Sequence, residues 1–323
     1  MKKNIVVLGY ESNAQTLHQV KTLQQLDANV VFINPYGNAG IYSAFSWEEG
    51  NIIWDGQVLS PDRIDGILIQ VITPEVPGED AFNTASDQKL NWEQWFRHFC
   101  IQRDRSDALL SLLLHYGNLG IPIFNPVSHY HLSRYKPYQI QRLKEAGCLL
   151  PPTLISNNPI AATEFIQAHG QCIMKPVAGG ALTLSANDLI TSGQIQSLSQ
   201  VPAIIQKRIL GKDLRVTLVE DEIVSCVVIN VPESSLDFRG GLDYIHGKVH
   251  YDNYLLPDAV QEQCRRGAQA VGLRYTGIDI RVTPKGEYFM LECNSAPVYL
   301  GIEQKMGHPI TEKLCKALLK AKP

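Results

Sequence analysis

The stretch "EYFMLECNSAP", residues 287–297, decides how the C-terminal part of the chain folds. Its apolar run, residues 288–291, is typical of a buried β-strand. The run leads into Glu292, Cys293 and Asn294 before Pro297 stops it. Because side chains alternate between the two faces of a strand, Glu292 and Asn294 share one face and Cys293 takes the other.

The stretch "GIDIRV", residues 277–282, is the predicted hairpin partner of this strand. Counting outward from a two-residue Lys285-Gly286 turn places Asp279 opposite Glu292. Two acids facing each other across strands repel, and in a half-buried place they need a cation or a proton. Their oxygens, with that of Asn294, suit Mg²⁺ or Mn²⁺. The pattern therefore predicts a metal site, with a solvent-facing polar strand side as the alternative.

Two lysines indicate where phosphate groups could bind. Lys175 follows the apolar "CIM" and precedes Pro176, and a buried unpaired lysine is costly unless an anion accompanies it. Lys136 lies at a helix start, where the helix dipole disfavours a cation. Gly179 and Gly180 would let backbone amides approach phosphates. Ordinary surface lysines remain the alternative, and the phosphate-binding motifs GxxxxGK[ST] and GxGxxG are missing from the expected places.

The bulk composition narrows the class of protein. A length of 323 residues predicts two or three domains, and a net charge of −3 argues against a nucleic-acid partner. No apolar stretch approaches about 18 residues, so we expect no membrane span. The seven cysteines are widely spaced and form no CxxC, which indicates reduced thiols and a cytoplasmic location.

The N-terminal part, residues 1–125, is predicted to be a small α/β domain. "NIVVLGY" and "NVVFINP" read as parallel strands joined by a helix, which implies a right-handed crossover. Residues 73–90 are predicted to be a surface loop. The helix from Trp92 to about Tyr116 carries three arginines that read as a solvated face, or else as a carboxylate-binding patch. The three arginines are Arg97, Arg103 and Arg105. In the first helix, the apolar residues predicted to share one face are Leu17, Val20, Leu23 and Leu26.

The order of motifs over roughly residues 120–320 resembles the ATP-grasp superfamily, specifically its RimK-like carboxylate–amine ligases. Antiparallel hairpins with packed helices already predict an α+β fold for this part. The resemblance implies two α+β subdomains that sandwich a nucleotide, behind an α/β N-terminal domain. The implied division is residues 1–125, 126–202 for the small lid subdomain, and 203–323 for the subdomain with the metal site.

The resemblance also assigns residues to roles, motif by motif. The motifs are "IMKPVAGG", the hinge strand "IIQKRILGKDLRV", the arginine motif "DFRGG" and the metal signature "GIDI…LECNSAP…GIE". They imply Lys136, Lys175, Gly179 and Gly180 at the ATP phosphates; Gln206 at the adenine amino group; Lys207, Arg208 and Ile209 along adenine; Asp213 at the ribose; Arg215 and Arg239 as catalytic arginines at the reacting phosphate and the acyl phosphate; and Asp279, Glu292 and Asn294 at the metal.

The implied activity is formation of an amide bond through an acyl phosphate, with ATP and Mg²⁺ (or Mn²⁺) as cofactors. Carboxylate and amine substrates, small molecules or peptides, are the implied partners, and the family implies a homo-oligomer. One alternative is a ribosomal-peptide maturase that closes side-chain amides or esters, with residues 73–90 and the basic helix 97–105 gripping a leader. Another is a regulatory protein that binds ATP without turning it over.

Overall fold

The structure, a computed structural model, describes residues 2–36, 43–70, 92–131, 134–178, 183–230 and 249–322. The chain divides into two compact units. The first contains residues 1–127 and 315–323, and the second contains residues 128–314. The finer three-domain division stays a prediction. Among the described residues, no helix has the length and apolar character needed to cross a membrane.

The first unit is built on a parallel four-stranded sheet in the order β2-β1-β6-β7, which confirms the predicted α/β class. A separate antiparallel sheet, β3-β4-β5, turns at Asp55-Gly56, where a hairpin was predicted. Its elements are β1 (Asn4–Leu8), α1 (Ala14–Gln25), β2 (Asn29–Ile33), β3 (Phe45–Glu48), β4 (Asn51–Trp54), β5 (Gln57–Val58), β6 (Gly66–Ile69), α2 (Trp92–Asn118) and β7 (Ile123–Phe124).

The face that α1 buries differs from the predicted one. Leu17 is 49% exposed, whereas Thr16, Gln19 and Leu23 are fully buried. The physical reason is that residues three apart drift by about 60° per step around a helix with 3.6 residues per turn. Four residues at that spacing therefore wind around α1, and the buried stripe contains polar side chains.

The arginines of α2 do not form a single solvated face. Arg103 is exposed and pairs with its neighbour Asp104. Arg105 is half-buried, and its guanidinium donates to the backbone oxygens of Pro35 and Ser43 and to the Ser43 hydroxyl. Arg105 is therefore part of the local packing of the first unit.

Within the second unit, the sheet β10-β9-β11-β8 packs α5 and α6 over a small core that includes Ile166, Cys172 and Ile205. Antiparallel pairing on both sides of β9 and β11 confirms the predicted α+β character. The elements up to this point are α3 (Val127–Tyr130), α4 (Lys136–Glu145), β8 (Thr153–Ser156), α5 (Pro159–His169), β9 (Cys172–Pro176), β10 (Leu184–Ser185), α6 (Ala186–Thr191) and β11 (Ala203–Lys207).

The other sheet of the second unit is antiparallel, in the order β14-β13-β12-β15-β16. Its core face packs under α4 and α7 and includes Leu143, Cys264, Met290 and Cys293. The elements are β12 (Lys212–Val219), β13 (Glu222–Asn230), β14 (His250–Asn253), α7 (Asp258–Ala270), β15 (Tyr275–Val282), β16 (Tyr288–Asn294), α8 (Leu300–Met306) and α9 (Ile310–Lys320), whose residues from Cys315 onward belong to the first unit.

Candidate functional site

A pocket of about 280 Å³ lies in the second unit, between its two sheets. Every predicted site residue that the structure describes lines this pocket. These residues are Lys136, Lys175, Gln206, Lys207, Arg208, Ile209, Asp213, Arg215, Asp279, Glu292 and Asn294. Gly179, Gly180, Arg239 and the predicted loop 73–90 lie outside the described residues.

The β15–β16 hairpin places the predicted acids opposite each other. Asp279 pairs directly with Glu292, as predicted. The predicted turn is wrong, however, because the connection has three residues: the Thr283 amide donates to Glu287, and Gly286 adopts a φ of +80°. Such three-residue turns commonly end in a residue with positive φ, usually glycine. The longer turn shifts the register by one residue at the start of the hairpin.

A β-bulge at Leu291 restores the register. Ile280 pairs with Met290, whereas the preceding residue, Asp279, pairs with Glu292, so Leu291 is the extra residue. A bulge also changes which face the following residues take. Met290 therefore stays in the core, fully buried, while both Leu291 and Glu292 line the pocket. Without the bulge, Glu292 would share the core face of Met290.

Each acid has its own cation. The Lys136 ammonium donates to the Glu292 carboxylate, and Arg215 Nε lies 3.0 Å from Asp279 Oδ1. These four side chains are only 13–21% exposed. Asn294 Nδ2 donates to Asp279 Oδ2 over 3.3 Å, which completes a compact cluster. The cations hold together two carboxylates that would otherwise repel.

The two acids titrate differently because their surroundings differ. Burial raises the pKa of Asp279 to about 6, against the lowering effect of Arg215, and the charge of Glu292 adds to the rise. Burial would also raise the pKa of Glu292, but the charges of Lys136 and Lys175 and the hydrogen bond from Lys136 outweigh it and lower that pKa to about 2. At neutral pH both carboxylates are ionised, and Asp279 is the first to take up a proton on acidification.

Sequence reasoning missed Gln139, which positions Lys136. Its side-chain amide donates to the Cys293 carbonyl over 2.9 Å and accepts from the Cys293 amide over 3.0 Å. Gln139 is 1% exposed. It lies three residues after Lys136, on the same face of α4, and Cys293 follows Glu292, so the clamp holds the lysine beside the acid. The sequence feature that could have indicated Gln139 is its position three residues after Lys136, on the same helix face.

Arg215 has an unused donor. Its Nη1 is buried and has no hydrogen-bond partner among the residues that the structure describes. A Cβ added to Gly277 would lie 2.9 Å from this nitrogen and 2.6 Å from Pro297 Cβ, so a glycine there leaves room for the guanidinium. A buried, unpaired cationic N–H is costly, and a bound anion would satisfy it.

The end of the pocket near β9 and β11 is polar and includes the cationic side chains of Lys175, Lys207 and Arg208 beside the neutral Gln206. Gln206 is 2% exposed; its Nε2 donates to the Thr153 hydroxyl over 2.8 Å, and its Oε1 accepts from Lys175 Nζ over 3.4 Å. Thr153 was missed because the sequence showed only a strand there. The pairing fixes which way the carboxamide of Gln206 points, which matters for recognising a polar ring edge.

Asp213 pairs with an arginine that the sequence analysis did not single out. Arg281 donates to both carboxylate oxygens of Asp213, over 2.7 and 2.6 Å, and to the Ile209 carbonyl over 3.2 Å. The two residues face each other across β12 and β15. This bidentate pair rigidifies the pocket wall, and Arg281 could have been found as the residue two positions after Asp279 on the same strand face.

The donor set fits a hard divalent cation. Asp279, Glu292 and Asn294 supply two carboxylates and one amide oxygen on one side of the hairpin. Within the described ranges, no group of three or more His, Cys, Asp or Glu side chains converges to hold a metal. Two carboxylates with open positions suit an ion such as Mg²⁺ that takes its remaining ligands from water or phosphate.

Comparison with known proteins agrees with this geometry. The sequence model of the RimK-like ATP-grasp domain matches residues 134–318. A probable alpha-L-glutamate ligase of Shewanella pealeana is 24% identical over 220 residues, covering 65% of this chain and 47% of that protein. The chain thus aligns with about half the length of that curated relative.

Solved structures resemble the chain over its whole length. The ATP-grasp ligase PsnB complexed with a minimal precursor has a TM-score of 0.81 and 27% identity, covering 99% of both chains. The macrocyclase MdnC from Microcystis aeruginosa MRC, bound with precursor peptide MdnA, has a TM-score of 0.76 at 19% identity and therefore supports the fold alone. These likenesses confirm the predicted α/β domain plus ATP-grasp fold. The chain therefore belongs to the RimK-like ATP-grasp family.

Proposed function

We propose that this protein is an ATP-dependent carboxylate–amine ligase that forms an amide bond and releases ADP and phosphate. The observation that carries the proposal is the cluster in which two opposed acids each hold a separate cation at one end of the pocket. Such a cluster can exchange its internal ion pairs for those of a bound metal–phosphate group without leaving a charge unpaired.

In this proposal a carboxylate oxygen of the substrate attacks the γ-phosphorus of ATP, and the bond to the β-phosphate oxygen breaks to give an acyl phosphate and ADP. The amine then attacks the acyl carbon, phosphate leaves with the C–O electron pair, and the ammonium proton passes to solvent. The protein's contribution is position and charge, so it needs no nucleophilic side chain of its own.

The roles of the pocket residues follow from their charge. Lys136, Lys175 and Arg215 bind the phosphates and stabilise the transferring phosphoryl group, and Gln206 recognises the base. Mg²⁺ held by Asp279, Glu292 and Asn294 would offset phosphate charge as it develops. The predicted roles of Gly179, Gly180 and Arg239 remain part of the proposal.

The first test is ADP release with Mg²⁺ and ATP, across separate pools of amino acids, amines and peptides. We expect release to depend on one pool, and Glu292→Gln to abolish it. Glu145→Gln, on the exposed outer face of α4, is the matched control and should leave release unchanged. Tight Mg·ATP binding without release from any pool would instead favour the non-catalytic regulatory protein.

A second candidate is a peptide maturase that forms side-chain amides or esters. It is favoured by the likeness to PsnB, whose complex with a minimal precursor matches 99% of both chains, whereas the glutamate-ligase match covers less than half of that relative. Mass spectrometry separates the two functions. Maturation removes one water from the peptide for each crosslink, whereas an amino-acid ligase adds the mass of one residue.

A further inference from the structure

Three consecutive residues after β16 line the pocket with apolar side chains: Ala296, Pro297 and Val298, which we call the apolar wall. Val298 is 69% exposed, and the wall begins two residues after Asn294, which belongs to the candidate metal site. A single exposed valine on open surface would need no explanation. A valine that lines the pocket beside the candidate metal site instead presents an apolar face to a molecule that binds there.

The chain that leads into the apolar wall is held by buried hydroxyl groups. The Thr276 hydroxyl donates to the Asn294 carbonyl over 2.9 Å, and the Ser295 hydroxyl donates to the last backbone carbonyl of α3 over 2.7 Å. Within the wall, the Tyr275 hydroxyl donates to the Pro297 carbonyl over 3.4 Å. The three hydroxyl-bearing side chains are at most 2% exposed, so the bonds that they make are shielded from water.

The chain that leaves the apolar wall is held just as closely. Tyr299 is 1% exposed, and its hydroxyl lies 3.0 Å from Thr311 Oγ1. Thr311 donates to the Glu303 carboxylate from its amide over 2.9 Å and from its hydroxyl over 2.7 Å. Because the proton of that hydroxyl is used on Glu303, Thr311 accepts the proton of Tyr299. The wall is therefore fixed at both ends, and Val298 is presented from a preorganised backbone.

The apolar wall begins beside Arg215. A Cβ added to Gly277 would lie 2.6 Å from Pro297 Cβ and 2.9 Å from Arg215 Nη1, so the proline ring and the guanidinium lie over the same glycine. In the proposed reaction Arg215 binds the phosphoryl group that is transferred, and the attacking carboxylate has to lie next to that group. An acid in this position has the wall beside the carbon atoms that carry its carboxylate.

The chemistry of the apolar wall selects between substituents on that acid. A polar or charged substituent pressed against the wall would lose water and find no hydrogen-bond partner among the side chains of the wall. An apolar substituent would gain free energy by leaving water. We propose that the acid substrate carries an apolar group beside its reacting carboxylate, and that the apolar wall binds this group. This inference rests on the proposed ligase function and specifies the substrate class of the same pocket.

Trapping with hydroxylamine tests the acid without requiring the natural amine. The hydroxylamine nitrogen attacks the carbonyl carbon of the acyl phosphate, phosphate leaves with the C–O electron pair, and the ammonium proton passes to solvent. One set of donors is small: the N-acetyl derivatives of leucine, valine and phenylalanine against that of serine. The other set is peptidic: a blocked tripeptide with glutamate between two leucines against one with glutamate between two serines. With Mg²⁺ and ATP, we expect apolar donors to exceed polar ones at least about tenfold in kcat/KM in one set, which identifies the source of the acid.

A polar substitution in the apolar wall should remove this preference. Val298→Asn should lower kcat/KM for the preferred donor at least about tenfold, mainly through KM, and leave the dissociation constant of Mg·ATP unchanged. Val298→Leu keeps an apolar side chain and should retain the preference. Val201→Asn is the matched control, because Val201 is also an exposed valine, at 59%, and does not line the pocket.

The outcomes separate the apolar wall from the ligase function. Equal hydroxamate formation from apolar and polar donors would overturn the role of the wall and leave the ligase function standing. The same holds if Val298→Asn leaves kcat/KM for the preferred donor unchanged, or if it lowers Mg·ATP affinity and kcat/KM together. No hydroxamate from any donor in either set would count against both the ligase function and the wall.

Discussion

Replacing Glu292 by glutamine removes the buried partner of Lys136 while keeping the side-chain shape, and the structure sets the size of the effect. The pKa of Glu292 lies at about 2 instead of the ordinary 4.5. That difference corresponds to about 3 kcal/mol of stability for the metal-free protein at pH 7. The independent expectation for breaking a buried ion pair by removing one partner, about 3–5 kcal/mol, is of the same size.

The pH dependence provides the sharper check. Because the folded-state pKa of Glu292 is depressed, its contribution is fully present above pH 4.5 and is lost as the pH falls towards 2. The difference in the free energy of unfolding between wild type and Glu292→Gln should therefore shrink from about 3 kcal/mol at pH 7 to about 2 kcal/mol at pH 3.5. Urea denaturation in metal-free buffer, followed by circular dichroism, measures both values.

Two further variants make the reasoning refutable. Glu145→Gln breaks the Arg142–Glu145 pair on the same helix, but these side chains are 41% and 49% exposed, so the change should cost no more than about 0.5 kcal/mol. Adding Lys136→Met to Glu292→Gln removes both charges and should recover part of the loss. If Glu292→Gln and Glu145→Gln destabilise the protein equally, the pair between Lys136 and Glu292 does not have the assigned role.

Three other outcomes follow from the same geometry. Burial raises the pKa of Asp279 to about 6, so Mg·ATP affinity should not change with pH above 6 and should fall by up to about tenfold for each pH unit below it. Calorimetry measures this affinity. The control is Asp279→Asn, in which the fall below pH 6 should disappear because the side chain no longer titrates. Gly211→Ala should lower the free energy of unfolding by about 2–4 kcal/mol, because Gly211 has a φ of +150° and an added Cβ would lie 1.9 Å from the Val282 carbonyl oxygen, whereas Gly301→Ala meets nothing within 4 Å and should be neutral. Gln206→Leu should weaken ATP binding on the order of tenfold, because it removes the hydrogen bonds that Gln206 makes with Lys175 and Thr153 in the buried pocket wall. Unchanged affinity would show that Gln206 does not recognise the base.

The parts of the site that could be predicted from sequence are those set by residues close together in the chain. The opposition of Asp279 and Glu292 follows from strand alternation and a short turn, and it was predicted. The three-residue turn and the bulge were not, because each is set by local backbone geometry that many sequences share. The two errors cancelled at Asp279, so the correct pairing was reached through an incorrect turn.

The pairings of Lys136 and Arg215 with the acids could not be predicted from spacing alone. Lys136 and Glu292 lie 156 positions apart in the chain, and their contact depends on the clamp that Gln139 makes to β16. Motif order singled out these residues as candidates, whereas the choice of partner required the packing of α4 against the sheet. The buried polar stripe of α1 was missed for a related reason. A helix prediction from hydrophobic spacing assigns leucines to the buried face and polar residues to the surface, and it takes no account of how the neighbouring strands pack against the helix.

The paired turn and bulge of the β15–β16 hairpin limit how its length can vary. The turn is exposed, and loops of that kind usually tolerate insertion and deletion. Here Thr283 and Glu287 flank the turn, and a change in length that moves this pair by one residue would shift the pairs below it up to the bulge. Straightening the bulge while Leu291 is retained would turn Glu292 towards the core side occupied by Met290. A graft of this site onto another scaffold must therefore carry the turn and both strands as one piece, because neither strand has a meaningful alignment without the other.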